Sequence, residues 1–182
     1  MQENHADNPS ASQKKDDHDV IYTLRTAHQN QTQLIIMADK KAHILIGVIS
    51  VILTILLTRF ELQTEWLLPL GIFFVMEVTA VLLALLVIIP STKRFHAPKD
   101  IRDAKNILFF GFFTHYPQDT YLDHLMHTLD DNLSARRLLA TDLYQAGLVL
   151  KKKYRLLRYS YILSITGIFV PLLITAALLA LD

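Results

Sequence analysis

The chain has no cysteine in its 182 residues, so neither a disulfide framework nor a thiolate metal site is available to it. Glycine is scarce, at 5 residues, and no glycine-rich phosphate loop, serine-nucleophile elbow or metalloprotease helix occurs. Segments with the two-residue alternation of strands are missing as well, which leaves helices as the elements to expect. Lysine and arginine are absent from all of the long apolar runs, and Glu77 is the one carboxylate inside them.

Those runs cover 42–58, 66–90 and 159–181, in a chain that is 52% hydrophobic. A helix rises about 1.5 Å per residue, so each run can cross a hydrocarbon core of about 30 Å, the first being the shortest. The first run begins only at Ala42 and is followed by no small-residue cleavage site, so it reads as a retained span and not as a signal peptide. The expectation is an all-α membrane protein: a disordered polar tail over 1–16, then a single domain over 17–182. Within that domain lie a cytoplasmic helix 17–41, transmembrane helices 42–59, 66–90 and 159–181, and a cytoplasmic helical region 91–158.

Cations set the orientation. Lys40 and Lys41 precede the first span, Lys93, Arg94 and Lys99 follow the second, and Lys151, Lys152, Lys153, Arg155 and Arg158 precede the third. The connector 59–65 and the end at Asp182 are poor in positive charge. The positive-inside rule therefore puts the N-terminus in the cytoplasm and the C-terminus outside, with Trp66 at the outer interface.

Local signals place the helices. The polar tail has too little apolar surface to offset folding entropy, and Asp17 or Asp19 is a fitting N-cap. Ile21, Leu24, Ala38, Ala42, Leu45, Ile49, Ile52 and Leu56 follow one three-four seam, interrupted by His28 and Gln31. The two polar residues read as register-setting positions, with ligand contact as the alternative. Pro98 and Asp100 are expected to open a short helix that stops near Gly111. Pro117 opens another, carrying Leu122, Leu125, Leu129 and Leu133, and a last helix is expected from about Ser134 into the third span. Pro171 is expected to kink that span or free a carbonyl.

The strings Ala38-Asp39-x-Lys41-Ala42-x-Ile44-Leu45-x-Gly47, Asn106-x-x-Phe109-Phe110-Gly111, Asp142-x-Tyr144 and Lys153-Tyr154-x-x-Leu157 resemble, in order, the Pycsar effector transmembrane family. The resemblance runs from about Asp19 to the C-terminus. It implies an anti-phage effector encoded beside a pyrimidine cyclase, activated by cyclic CMP or cyclic UMP, that impairs the bacterial inner membrane as a homo-oligomer. It implies no enzymatic activity, cofactor or nucleic-acid partner.

A cyclic mononucleotide needs cationic or backbone donors for phosphate, a flat face for the base and an amide or carboxylate for its polar edge. The candidates for phosphate are Arg94, Arg102, Lys105, Arg136, Arg137 and Lys153, with Lys41 a nucleotide-binding candidate of unassigned role. Phe109, Phe110, Tyr121, Tyr144 and Tyr154 are candidates for stacking, and Asp39, Asn106 and Asp142 for the polar edge. Against this stands lipid anchoring, which the Lys151 to Lys153 run fits better than nucleotide binding. Asp39 and Lys41 read equally as ligand or gating groups and as a structural salt bridge at headgroup depth. Their place at the membrane entry makes coupling of a cytoplasmic shift into the first span an expectation by position. Phe109-Phe110-Gly111 reads as a packing wedge and helix stop, with glycine at positive φ.

Glu77 lies near the centre of the second span, where an ionisable group is costly and marks function by default. It is a candidate for a membrane pathway in an oligomer; the alternative is a carboxyl hydrogen-bonded to Ser50, Thr54 or Thr166 in helix packing. His124, His127 and Asp131 share a helix face and could in principle hold zinc or manganese, but a solvated face is the preferred reading. Two function classes remain at this point: a ligand-gated membrane effector, and a non-catalytic scaffold or sensor subunit that recruits a partner through cytoplasmic helices.

Overall fold

A computed structural model describes residues 9–59, 66–89, 98–104 and 106–180, with the side chains of 9–18 and 59 outside the description. Residues 1–8, the connector with its glutamates, and Lys93, Arg94, Lys105 and Asp182 therefore lie outside the described residues, whereas 9–16 of the tail expected to be disordered are helical, so neither Asp17 nor Asp19 opens the helix. What is described is all helix and turn, without a strand: α1 (Pro9–Arg59), α2 (Leu67–Ile88), a 3-10 turn (Ile101–Asp103), α3 (Phe110–Phe113), α4 (Gln118–Asp130) and α5 (Asn132–Leu179). Among these, α1, α2 and α5 are long and apolar enough to cross a membrane.

The chain divides into two compact units, and α1 and α5 contribute to both. The membrane unit comprises Leu34–Ser91 and Leu150–Asp182. Its core is built from Ala38, Ala42, Leu45 and Ile49 of α1, Ala80, Ala84 and Val87 of α2, and Leu157 of α5. These are the seam positions that the three-four spacing marks on α1. On α5 the buried residues Leu157, Ser160, Ser164, Gly167 and Pro171 repeat the same spacing. Small side chains let backbones approach closely, which is how helices hold together where lipid removes the hydrophobic drive between them. Ser160 uses that closeness: its hydroxyl donates to the Ala80 carbonyl at 2.6 Å. The large apolar side chains point the other way, with Val48, Val51, Val75, Leu82, Ile165 and Phe169 all exposed, as a lipid-facing surface requires.

The polar unit comprises Met1–Gln33 and Thr92–Val149. Here the expected helix from Pro98 to Gly111 is corrected. Asp100 caps a 3-10 turn by accepting from Arg102 N at 2.9 Å, and the chain leaves the helical region at Ala104. Asn106 then offers its side-chain oxygen to Leu108 N at 3.0 Å, a local bond that competes with helix continuation. Gly111 is no stop: it lies inside α3, and no described glycine has positive φ.

α4 opens after Pro117 as the sequence predicts. Its Leu122 and Leu129, and Leu133 beyond it, remain exposed instead of forming a core stripe, and so does Ile21 on α1. Asp131 caps α5 by accepting from Ser134 N at 2.9 Å. Hydrogen bonds from Ser134 hold the Asp131 carboxyl below the usual carboxylate range.

Candidate functional site

In the membrane unit, the residues that begin the first and third spans frame a recess of about 390 Å³. It is lined by Lys41 from α1 and by Tyr154, Leu157, Arg158 and Tyr161 from α5. On α5 these positions fall at i, i+3, i+4 and i+7, so one helix face presents all four. Leu157 is buried, the two tyrosines are half-buried, and Lys41 and Arg158 are exposed. The Tyr161 hydroxyl donates to the Lys41 carbonyl at 3.3 Å, tying α1 to α5 at the rim.

Beside it Lys153 is ion-paired with Asp39. The structural salt bridge expected at this depth is thus formed by Asp39, with Lys153 and not Lys41 as its partner. The side chain of Lys153 is only 16% exposed, so the pair is partly shielded from solvent. Arg158 and Tyr161 stand outside the nucleotide candidates of the sequence, although their spacing from Tyr154 puts them on the same helix face.

Deeper in the same unit Glu77 is 1% exposed. Its partner is none of the three expected residues: Ser164 donates to Glu77 Oε2 at 2.9 Å, while Thr54 and Thr166 bond to backbone carbonyls of their own helices. The reason is geometric. Gly167, one turn on from Ser164, leaves the room that the carboxyl fills, since a Cβ there would lie 2.9 Å from Glu77 Oε1. Pro171 lacks the N–H that the Gly167 carbonyl would otherwise accept from, so α5 is also least self-satisfied at this level.

The polar unit brings a second set together around Asn106, which is 0% exposed. Its amide donates to Asp142 Oδ1 at 2.9 Å and to Gln145 Oε1 at 3.1 Å. Asp142 also meets His28 Nδ1 at 3.2 Å. Both amide protons and the carbonyl of Asn106 are therefore engaged inside the protein, while the His28 side chain stays 45% exposed beside Asp142. Gln31, three residues on, lies close to Gly147.

The remaining candidates are dispersed. Arg102 is committed to Asp100, which accepts from its side chain at 2.6 to 3.1 Å. Those bonds, reinforced by the Arg102 backbone N–H, pull the Asp100 carboxyl down to about 2. Phe109 packs on Phe110 and Phe112 with ring centroids 4.8 and 5.9 Å apart, and Tyr121 stacks on Phe113 at 5.0 Å. Phe110, Tyr144 and Arg137 are exposed, and Arg136 is half-buried on α5. Arg94 and Lys105 lie outside the described residues. Among the described residues no three His, Asp or Glu side chains are placed to hold a metal ion, and Asp131 is used as the α5 cap.

Three apolar helices whose inner faces carry small and polar residues, continued by charged helical segments, define a polytopic membrane protein. Within that class the chain belongs to the Pycsar effector family: the model described as "Pycsar effector protein domain" matches residues 23–181. That membership makes it an effector of cyclic-pyrimidine-linked anti-phage defence. No curated protein and no solved structure matches the chain.

Proposed function

We infer that the protein responds to a cyclic pyrimidine mononucleotide, cyclic CMP or cyclic UMP, by impairing the bacterial inner membrane, so that an infected cell stops supporting phage growth. The observation that carries this reading is the family match over 23–181 on a chain with three helices able to cross a bilayer. The protein acts without catalysis or cofactor, as a homo-oligomer, with a pyrimidine cyclase as the source of its ligand. Its N-terminus faces the cytoplasm and its C-terminus the outside, in keeping with cations that gather at the inner ends of the spans.

Glu77 marks the membrane pathway in this reading. Its carboxyl is held by Ser164 and rests on Gly167 within the protomer, so lining a path in the oligomer with a ring of Glu77 carboxylates requires α2 and α5 to part at this contact.

Dye release from vesicles containing the full chain, with cyclic CMP or cyclic UMP added outside protein facing either way, tests the reading. Release with one nucleotide is expected, and silence with both overturns it in favour of a scaffold that needs a recruited partner. In the same assay, undiminished release from Glu77→Gln would remove the carboxyl from the pathway.

A further inference from the structure

We propose that Lys41, Arg158, Tyr154 and Tyr161 form a binding site for a singly charged phosphodiester, placed where α1 and α5 enter the bilayer. The proposal deepens the functional reading above and rests on it for one of two sources of that anion. A cyclic pyrimidine nucleotide is a phosphodiester, and so is the headgroup of an anionic phospholipid.

The charge balance of the recess carries the argument. Of the cations at this level, Lys41 and Arg158 line the recess, and the Asp39 carboxylate takes Lys153 beside it. The recess itself is lined by no carboxylate. Among the described residues, neither Lys41 nor Arg158 is in an ion pair, and both are exposed. Two uncompensated cations facing one concavity attract an anion, and a guanidinium beside an ammonium suits a phosphodiester: the first can hold two oxygens at once, the second acts as a point charge.

The walls match the rest of such a ligand. Tyr154 and Tyr161 are half-buried, and Leu157 at 4% exposure lies among the lining residues. Phenol rings over an apolar base offer a face to a pyrimidine, or to the glycerol end of a lipid, with hydroxyls left for polar contact. The volume of about 390 Å³ falls in the range of small-molecule sites. Lys40 and Arg155 are also exposed on the same two helices and do not line the recess, so they separate a site from a general positive surface.

The experiment compares three forms of the full chain in nanodiscs: wild type, Lys41→Gln/Arg158→Gln, and Lys40→Gln/Arg155→Gln. Binding of cyclic CMP and cyclic UMP is measured by titration in phosphatidylcholine discs, and retention of phosphatidylglycerol by mass spectrometry of the purified protein. Loss of a cyclic nucleotide or of phosphatidylglycerol by about tenfold or more in the recess variant, with less than about threefold change in the control variant, supports the site. Which ligand is lost names its source.

Equal losses in both variants, or no loss of either ligand in the recess variant, overturn the proposal. Should the double variant fail to insert, Arg158→Gln alone is read by the same criterion, since its side chain is exposed. Failure of the functional reading is separate: wild-type vesicles would then release no dye with either nucleotide, while phosphatidylglycerol retention would still report on the recess.

Discussion

The two units hide polar groups by opposite means. In the membrane unit the core is small, and the buried polar atoms are few: Ser160 and Ser164 reach across helices, and Glu77 is accommodated because Gly167 has no side chain. In the polar unit one amide does the organising, since Asn106 joins its own loop to Asp142 and Gln145 on α5. The contrast teaches that a membrane bundle is specified by where space is left, whereas a water-facing bundle can be specified by a fully satisfied side chain.

The largest expected effect is on the amide. Asn106→Ala empties a fully buried position and removes the donors to Asp142 and Gln145, both part-buried, which costs about 3 kcal/mol. Hydrogen exchange should accelerate through 98–149 by about a hundredfold. An equal acceleration within 67–88 would break the comparison, because the two units would then lack separate stabilities.

Gly167→Ala should follow. The added methyl would lie 2.9 Å from both Glu77 Oε1 and Met76 Cβ, and overpacking of this kind costs about 1 to 3 kcal/mol. Thermal unfolding in detergent should fall accordingly, and Glu77→Gln should not rescue it because Met76 remains. A variant as stable as wild type would show that α2 and α5 can separate cheaply at the Glu77 level.

The smallest effect concerns pH at the α5 cap. The Asp131 carboxyl is held below its ordinary value by hydrogen bonds from Ser134. A lowered folded value means that its contribution is complete above about pH 4 and is lost as the pH falls through the folded value. Asp131→Asn, which retains a capping oxygen, should flatten the acid side of the thermal-stability profile. An unchanged profile would place that acid sensitivity elsewhere, with Asp100, whose carboxyl Arg102 draws down to about 2, as the next group to substitute.

Legibility in the sequence followed the physics of each element. Ala38, Ala42, Leu45 and Ile49 could be placed in the core from spacing alone, because a helix repeats its contacts every three or four residues whatever it packs against. The stop expected near Gly111 falls earlier: the chain leaves the helical region at Ala104 and the Asn106 side chain accepts the Leu108 N–H, whereas Gly111 sits inside α3. The partner of Glu77 could not be read at all. Ser50, Thr54, Thr166 and Ser164 are chemically similar, and only the approach of α2 to α5 selects among them.

Sequence by itself determined the all-α class, the three spans, the α1 seam and the family, since each is written in local composition, period or motif order. Tertiary structure alone decided that Lys153 neutralises Asp39, that Asn106 donates to Asp142, and that Lys41, Arg158 and two tyrosines line one recess. Those outcomes depend on the register between helices far apart in the chain. A pairing energy falls off over a few ångströms, and no spacing along one helix reports the distance to another.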